Sequence, residues 1–341
     1  ARAAMKTARF WEAAENSAVR CVLCPHRCRL AVGARSRCFG RVNHGGTLMA
    51  ETWGQPMALQ VDPIEKKPLY HFLPGSRILS VGTLGCNLAC QFCQNWELSH
   101  PTPRRQATGR PTLPEEIVDM AVHNQLPAIA ATYNEPAVWA EYALDIAAAA
   151  HARGIKMVAV TAGYFSPESR GEFFGQMDAA NVDLKSLRDD FYRRYCGARL
   201  TPVLDTLLAI RQETSCWLEL TTLLIPGLND SDAELDELTK WVTENLGPDV
   251  PQHFSAFHPA GERQDLSSTP LATLRRAERV ARANGLRHAY LGNVAAPDVA
   301  TTRCASCGAT LITRDGFAAR SVGLDSGGSC RACGTPSPGV W

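Results

Sequence analysis

The chain has 341 residues, 45% of them hydrophobic and 20% charged, enough to bury one large core with small appendages. Thirty-five Lys and Arg stand against thirty-four Asp and Glu, a formal net charge of +1, so no basic stripe argues for a nucleic-acid partner. No run approaches the roughly eighteen consecutive apolar residues that a membrane-spanning helix needs.

The amino end, residues 1–20, alternates polar and apolar side chains; it is read as a helix without the apolar block of a signal peptide, and the chain as cytoplasmic. Eleven of the thirteen cysteines then fall into three tight groups. Such spacing lets one loop present several thiolates to one centre, which metal sites need and scattered disulfides do not. The first group is C-x2-C-x3-C-x9-C: Cys21, Cys24, Cys28 and Cys38, with His26 inside. Four thiolates make a closed site for zinc or for a second iron–sulfur cluster; His26 hydrogen-bonds a thiolate or replaces one cysteine. Residues 1–60 are expected to form a module around this group. The following stretch, "DPIEKKPLYHF", is either a solvated charged turn or places Lys66 or Lys67 at an anionic group of a substrate.

From Ile78 to Val294 short β-rich runs alternate with helical patterns. Strands are predicted at Ile78–Thr83, Ala128–Asn134, Lys156–Gly163, Ala180–Ser186, Trp217–Ile225, His253–His258 and His288–Val294. Several are almost continuously apolar, as strands buried on both faces are. Thr112 with Glu115 reads as a capping box with Pro114 in the first turn. The Ala-rich helix after Pro136 closes at Gly154, and Asp230 or Ser231 caps a helix that stops before Gly247. Strand, helix, strand repetition requires right-handed parallel crossovers. The expected fold is therefore α/β, a full or partial TIM-like (β/α) barrel over residues 61–298, with small N-terminal and C-terminal metal-binding modules.

In such a fold the chemistry sits on loops at the C-terminal ends of the strands. Polar residues do collect there: Cys86, Asn134 and Glu135, Thr161, Asp183 and Lys185, Asn229, His258 and Asn293. Cys196 and Cys216 stand alone and read as small buried apolar side chains. Residues 299–341 carry two CxxCG knuckles, Cys304 with Cys307 and Cys330 with Cys333, around a hairpin whose turn is Asp315–Gly316. This is the pattern of a four-thiolate zinc ribbon.

The third group stops at three. Cys86, Cys90 and Cys93, spaced C-x3-C-x2-C, have no fourth thiol nearby in sequence. Three thiolates on a four-iron cluster leave one iron open, and an open position is how a metal site does chemistry. Gly85 permits a sharp turn, and Phe92 supplies an apolar shield.

"CNLACQFC" resembles the signature of the radical S-adenosylmethionine (SAM) superfamily. The wider run Asp62–Trp96, with "CVLCPHRC", "TYNEP", "VDLKS", "IPGLND", "HFSAFHP" and the terminal "PSPGVW", resembles the radical-SAM component of the AmmeMemoRadiSam system, a group similar to pyruvate formate-lyase activating enzyme. The resemblance implies an oxidoreductase with a [4Fe-4S] cluster on Cys86, Cys90 and Cys93. Its open iron would hold S-adenosyl-L-methionine, whose one-electron cleavage gives methionine and a hydrogen-abstracting 5′-deoxyadenosyl radical. By position, it further implies that Asn134 and Glu135 receive the methionine amino group, Asp183 and Lys185 lie beside its carboxylate, Thr161 and His258 lie near the ribose, and Phe92 lies by the adenine.

Flavodoxin or ferredoxin would be the electron donor. Two positions depart from the activating enzyme: Val160 replaces an acidic residue and Ala162 an Asn, and no cysteine follows Trp96 before Pro111. These weaken a glycyl-radical activase role, which stays as an alternative. A second alternative is a non-catalytic, zinc-stabilised barrel that binds partners. A zinc hydrolase fits poorly, because hydrolytic zinc prefers His and carboxylate ligands.

Overall fold

The computed structural model describes residues 6–100, 110–296 and 298–341. Its centre is an eight-stranded sheet whose spatial order follows the chain. The strands are Ala58–Pro63 (β1), Arg77–Gly82 (β2), Ala128–Ala131 (β3), Lys156–Thr161 (β4), Ala179–Asp183 (β5), Trp217–Leu224 (β6), Gln252–Ala256 (β7) and Ala289–Gly292 (β8). β1 runs antiparallel to β2, and β2 to β8 are parallel. The main helices between parallel strands are Pro114–His123 (α1), Ala140–His151 (α2), Pro167–Gly175 (α3), Thr201–Glu213 (α4), Asp232–Asn245 (α5) and Leu271–Ala283 (α6). Small side chains dominate the middle of the sheet; all of β3, "AIAA", is buried, so helices approach closely on one face while the other lines the barrel interior. The edge strands β1 and β8 do not pair. The barrel is therefore partial, one of the two forms expected.

All seven predicted strands are present, each shorter than expected at its C-terminal end, where the chain leaves the sheet into the site loops. β1 was not foreseen, because its run "ALQVDP" carries polar residues and lies on an edge. The predicted amino-terminal helix is replaced, among the described residues, by short strands. Trp11–Ala13, Val19–Cys21 and Arg29–Leu30 make one small sheet, and Lys6–Thr7, Thr47–Ala50 and Arg41–His44 another. Alternation of period two is a strand signal, and Val19 and Cys21 point inward while Arg20 points out. At α1 the cap falls one residue later than expected: the Glu116 carboxylate accepts from the Leu113 amide at 2.7 Å. Pro114 occupies the first turn as read, and Ser231 caps α5 through the Glu234 amide at 3.3 Å.

The N-terminal sheets dock on α2 and the 3-10 turn Pro136–Trp139 before it. Trp53 Nε1 and Lys6 Nζ both reach Asp145 at 2.7 Å, and Arg41, fully buried, pairs with buried Glu141 at 2.9 Å.

The tail closes the opposite, N-terminal end of the strands. Its strands Thr302–Arg303, Thr310–Asp315 and Ala318–Ser321 form a ribbon, with Gly316 and Phe317 at the turn because Asp315 still pairs with Ala318. From the ribbon a directed hydrogen-bond chain runs into the barrel. Arg314 Nη1 donates to Thr302 Oγ1 (2.8 Å), Thr302 to Tyr290 Oη (2.9 Å), Tyr290 to His71 Nε2 (2.6 Å), and His71 Nδ1 to the Pro338 carbonyl (2.7 Å). The Pro338 carbonyl can only accept, so Nδ1 carries the proton, and with burial keeping the ring neutral, Nε2 accepts from Tyr290. Buried Glu219 anchors the same region, accepting from the Tyr70 amide (3.0 Å), the His71 amide (2.7 Å), Trp217 Nε1 (3.0 Å) and His253 Nε2 (2.7 Å).

Candidate active site and metal centres

β2 ends at Gly82, and the chain turns into the loop carrying Cys86, Cys90 and Cys93 at the C-terminal edge of the parallel strands. Gly85 has φ +90°, and a Cβ there would lie 2.0 Å from the Cys38 carbonyl oxygen. Only glycine lets this loop rest on the N-terminal module. The main chain is then held from several elements. The Gly85 amide donates to Leu98 O (2.8 Å), Ala89 to Cys196 O (2.8 Å) and Gln91 to Tyr195 O (2.9 Å), while Gln91 O accepts from Glu262 (2.7 Å). Buried Asn87 donates through Nδ2 to Tyr164 O (3.0 Å), and its own carbonyl accepts from His26 Nε2 (2.8 Å). A loop pinned in this way presents its side chains without further ordering.

The three cysteine residues are half-buried. Burial and the neighbouring thiols push Cys86 and Cys93 upward, whereas a hydrogen bond from the Cys196 thiol, on the core side, lowers Cys90. Each sulfur feels the other two. Among the described residues, however, the three are not drawn together into the 4.8 Å span that a single small ion gathers. A soft, spread, three-thiolate donor set fits a cluster in which each sulfur binds its own iron.

The strand-end polar residues surround this loop in two tiers. Asn134 holds the backbone just before the cysteines: its Nδ2 donates to Gly85 O (2.8 Å) and Thr83 Oγ1 (3.1 Å), and its Oδ1 accepts from the Thr83 amide (3.0 Å). Glu135 accepts from Thr161 Oγ1 (2.5 Å) and the Ala162 amide (2.7 Å). Burial raises its pKa, and its charge is felt at Cys86. Lys185 pairs with Asp183 at 2.7 Å. Burial works against the Lys185 ammonium, but Asp183 and the thiols of Cys90 and Cys196 hold its pKa above the ordinary lysine value. A buried carboxyl thus acts on Cys86 and a cation on Cys90.

His258 lies farther out on the rim, exposed, with Nδ1 near Ser268 Oγ (3.2 Å) and Nε2 near Asn293 O (3.3 Å). Phe92 is buried, its ring 5.8 Å from that of Phe191. Asn229 ties the turn after β6, donating to Lys185 O (2.7 Å) and Leu223 O (2.9 Å). Lys66 and Lys67 both bind Asp62, at 2.9 and 2.8 Å, and Lys67 is buried. They neutralise a carboxylate of the chain itself, so the substrate-anion reading of these lysines is withdrawn.

In the tail, Cys304, Cys307, Cys330 and Cys333 bring all four sulfurs within 4.8 Å, with Cys304–Cys333 at 3.6 Å and Cys307–Cys330 at 3.7 Å. The two knuckles fold identically: the Gly308 amide donates to Cys304 O (2.9 Å) and the Gly334 amide to Cys330 O (2.7 Å), both glycines at positive φ. In the N-terminal group His26 is not a thiolate partner, since its nitrogens face Asn87 O and Arg37 (3.2 Å).

Sequence reasoning missed three groups that touch these sites. Cys196 ends a π-turn over Tyr192–Cys196 and reaches Cys90, a contact across about a hundred positions that local pattern does not carry. Asn87 and Arg41 were equally silent. The one available signal was polarity inside otherwise apolar surroundings.

Residues 80–239 match the family model described as Radical SAM superfamily. The chain is 38% identical over 331 residues to MJ0808, an uncharacterized protein of Methanocaldococcus jannaschii, across 97% of this chain and 98% of that one. It is similar to the structure of a radical SAM methyltransferase from Sphaerobacter thermophilus, at 17% identity and a TM-score of 0.49, over 90% of this chain and 81% of that one. It is also similar to a domain of pyruvate-formate lyase-activating enzyme from Bacteroides vulgatus, at 16% identity and a TM-score of 0.43, over 48% of this chain and 98% of that one. The family match runs from β2 into α5 and takes in the three-cysteine loop with Glu135, Thr161, Asp183 and Lys185. The chain therefore belongs to the radical SAM superfamily, whose members are enzymes.

Proposed function

We propose that this protein is a radical SAM enzyme of the AmmeMemoRadiSam type, which cleaves SAM reductively and uses the 5′-deoxyadenosyl radical to abstract hydrogen from a protein, peptide or small-molecule substrate. The observation that carries this reading is the C-x3-C-x2-C loop at the C-terminal edge of the parallel strands, its cysteine residues half-buried and its backbone bonded to several elements. A [4Fe-4S] cluster on Cys86, Cys90 and Cys93 would supply one electron and an open coordination site. The side chains do the orienting. With Glu135 beside Cys86 and Lys185 beside Cys90, an amino-acid zwitterion is turned so that its ammonium faces the carboxylate and its carboxylate faces the lysine. Thr161 and the Ala162 amide hold the Glu135 carboxylate in place, and Asn134 fixes the Gly85 carbonyl that begins the loop. Asp183 keeps Lys185 charged, His258 on the rim is assigned to the ribose, and Phe92 backs the loop on its adenine side.

Three units are assigned: an N-terminal module that ends before Ala58, because β1 already belongs to the sheet and moves the expected boundary of 60, the barrel from β1 to residue 298, and the ribbon at 299–341. Zinc is assigned to the ribbon. A zinc–sulfur distance of about 2.3 Å sets tetrahedral sulfurs about 3.8 Å apart, close to the 3.6 and 3.7 Å found there. A low-potential protein of the flavodoxin or ferredoxin class would donate the electron. Among the described residues no helix is long and apolar enough to cross a membrane. Cysteines clustered for metal binding suit a reducing compartment, so the cytoplasm is assigned.

The test is anaerobic reconstitution with iron and sulfide, then dithionite and SAM, with 5′-deoxyadenosine measured for wild type and Cys90→Ser. The reading expects nucleoside from wild type alone; equal amounts from both refute it.

A further inference from the structure

The N-terminal cysteines form a centre of a different kind from the ribbon. Every one of the six pairs among Cys21, Cys24, Cys28 and Cys38 is within electrostatic reach. Yet among the described residues no three of these sulfurs are gathered into the 4.8 Å span that holds the ribbon quartet. A single zinc must draw its four sulfurs to about 3.8 Å of one another. A cluster asks for a wider set, because each thiolate binds a separate iron.

Arg41 supplies an independent observation. Its side chain is 0% exposed. Nη2 donates to Glu141, but among the described residues Nε and Nη1 have no partner, and the guanidinium is within electrostatic reach of Cys21 and Cys38. Two buried, unpartnered N–H groups on a cation call for an anionic acceptor on that side. Ser36 Oγ, itself buried, stands 3.1 Å from Cys38 Sγ and adds a hydroxyl donor to the same sulfur. Donors converging on thiolates are what a negatively charged metal–sulfur centre needs around it.

The quartet also abuts the three-cysteine loop. The Cys38 carbonyl rests where a Gly85 side chain would be, and His26, between Cys24 and Cys28, bonds Asn87 O at 2.8 Å. We infer that Cys21, Cys24, Cys28 and Cys38 hold an iron–sulfur cluster, not zinc, faced by the Arg41 guanidinium and seated against the loop of Cys86, Cys90 and Cys93. This assignment stands whether or not the latter three bind a cluster.

The experiment compares the wild-type chain with Cys86→Ser/Cys90→Ser/Cys93→Ser after anaerobic reconstitution with iron and sulfide. Iron and zinc are counted and the iron is typed by Mössbauer spectroscopy. The inference expects the triple variant to retain about four irons in a cluster and about one zinc. A triple variant with no cluster iron overturns it. If the variant aggregates, the wild-type count decides: about eight irons and one zinc support the inference, and about four irons and two zinc overturn it. Equal iron in wild type and variant, at about four, keeps this inference and sinks the reading of Cys86, Cys90 and Cys93 instead.

Discussion

Glu219 offers the sharpest test of what holds the tail end of the barrel together. Its carboxylate is fully buried and accepts four hydrogen bonds, two at each oxygen: the His71 amide and Trp217 Nε1 at Oε1, the Tyr70 amide and His253 Nε2 at Oε2. In Glu219→Gln an NH2 replaces one oxygen, and whichever side it takes, it faces one main-chain amide and one ring N–H. Two bonds to a charged acceptor are lost, at roughly 1.5–3 kcal/mol each, offset in part if the His253 ring changes tautomer to accept from the new amide. A net cost of about 3 kcal/mol is expected, which is about two decades in a local opening constant. Hydrogen exchange resolved by residue reads it directly. The Tyr70 and His71 amides should exchange about a hundredfold faster in Glu219→Gln, while the Val182 amide in β5 holds its wild-type rate. Acceleration of less than about threefold at Tyr70 and His71 would refute the reasoning, because those two amides would then not depend on the carboxylate.

The same region should respond to acid. Burial, with the nearby His288 and Arg314 and against Glu219, lowers His71 to about 3, and burial, with Arg282 and Arg287 and against Asp249 and Glu219, lowers His288 to about 4. A histidine depressed in the folded state stabilises fully above its unfolded value of about 6.5 and loses that contribution as pH falls toward its folded value. Protonated His71 cannot accept from Tyr290, so Trp341, 5.5 Å from the ring, should show a fluorescence change centred near pH 3, where His71 titrates in the folded protein, and His71→Gln should abolish it. Removing zinc should act on this junction of tail and barrel from the other side. Cys330→Ser is expected to lose about one zinc and to accelerate exchange of the Leu73 amide, which donates to Val340 O at 2.7 Å. Unchanged exchange would show that the ribbon's zinc does not support the Leu73–Val340 contact. Cys196→Ala removes a thiol donor from Cys90. One such bond, about 0.5–1.5 kcal/mol, should lower the cluster potential by roughly 20–60 mV in an EPR-monitored redox titration. A null or upward shift counts against that contact.

The sequence made the parallel strands legible because strands buried on both faces must be apolar throughout, and "ILSVGT", "KMVAVTAG" and "WLELTTLLI" carry that constraint openly. The ribbon was legible because two CxxCG knuckles on a hairpin leave few other arrangements. What stayed hidden was tertiary. The amino end shows the period-two alternation of a strand, yet its strands are only two or three residues long, and length is what separates strand from helix. Lys66 and Lys67 looked like candidates for a substrate anion because Asp62, four and five positions away, is the partner that only the folded turn reveals. Asn134 was placed at the right strand end, but its amide turned out to serve the backbone of Thr83 and Gly85. The loop's support from Cys196, Tyr195 and Glu262 is main-chain bonding across long separations, which residue type does not encode.

The central claim is that Cys86, Cys90 and Cys93 leave one iron open to SAM. Electron–nuclear double resonance on the reduced protein, with SAM labelled with nitrogen-15 at its methionine amino group, measures this directly. The account predicts hyperfine coupling between the label and the cluster, lost in Cys90→Ser. Absence of coupling in the wild-type protein, with the iron bound instead by a fourth protein donor, would contradict it.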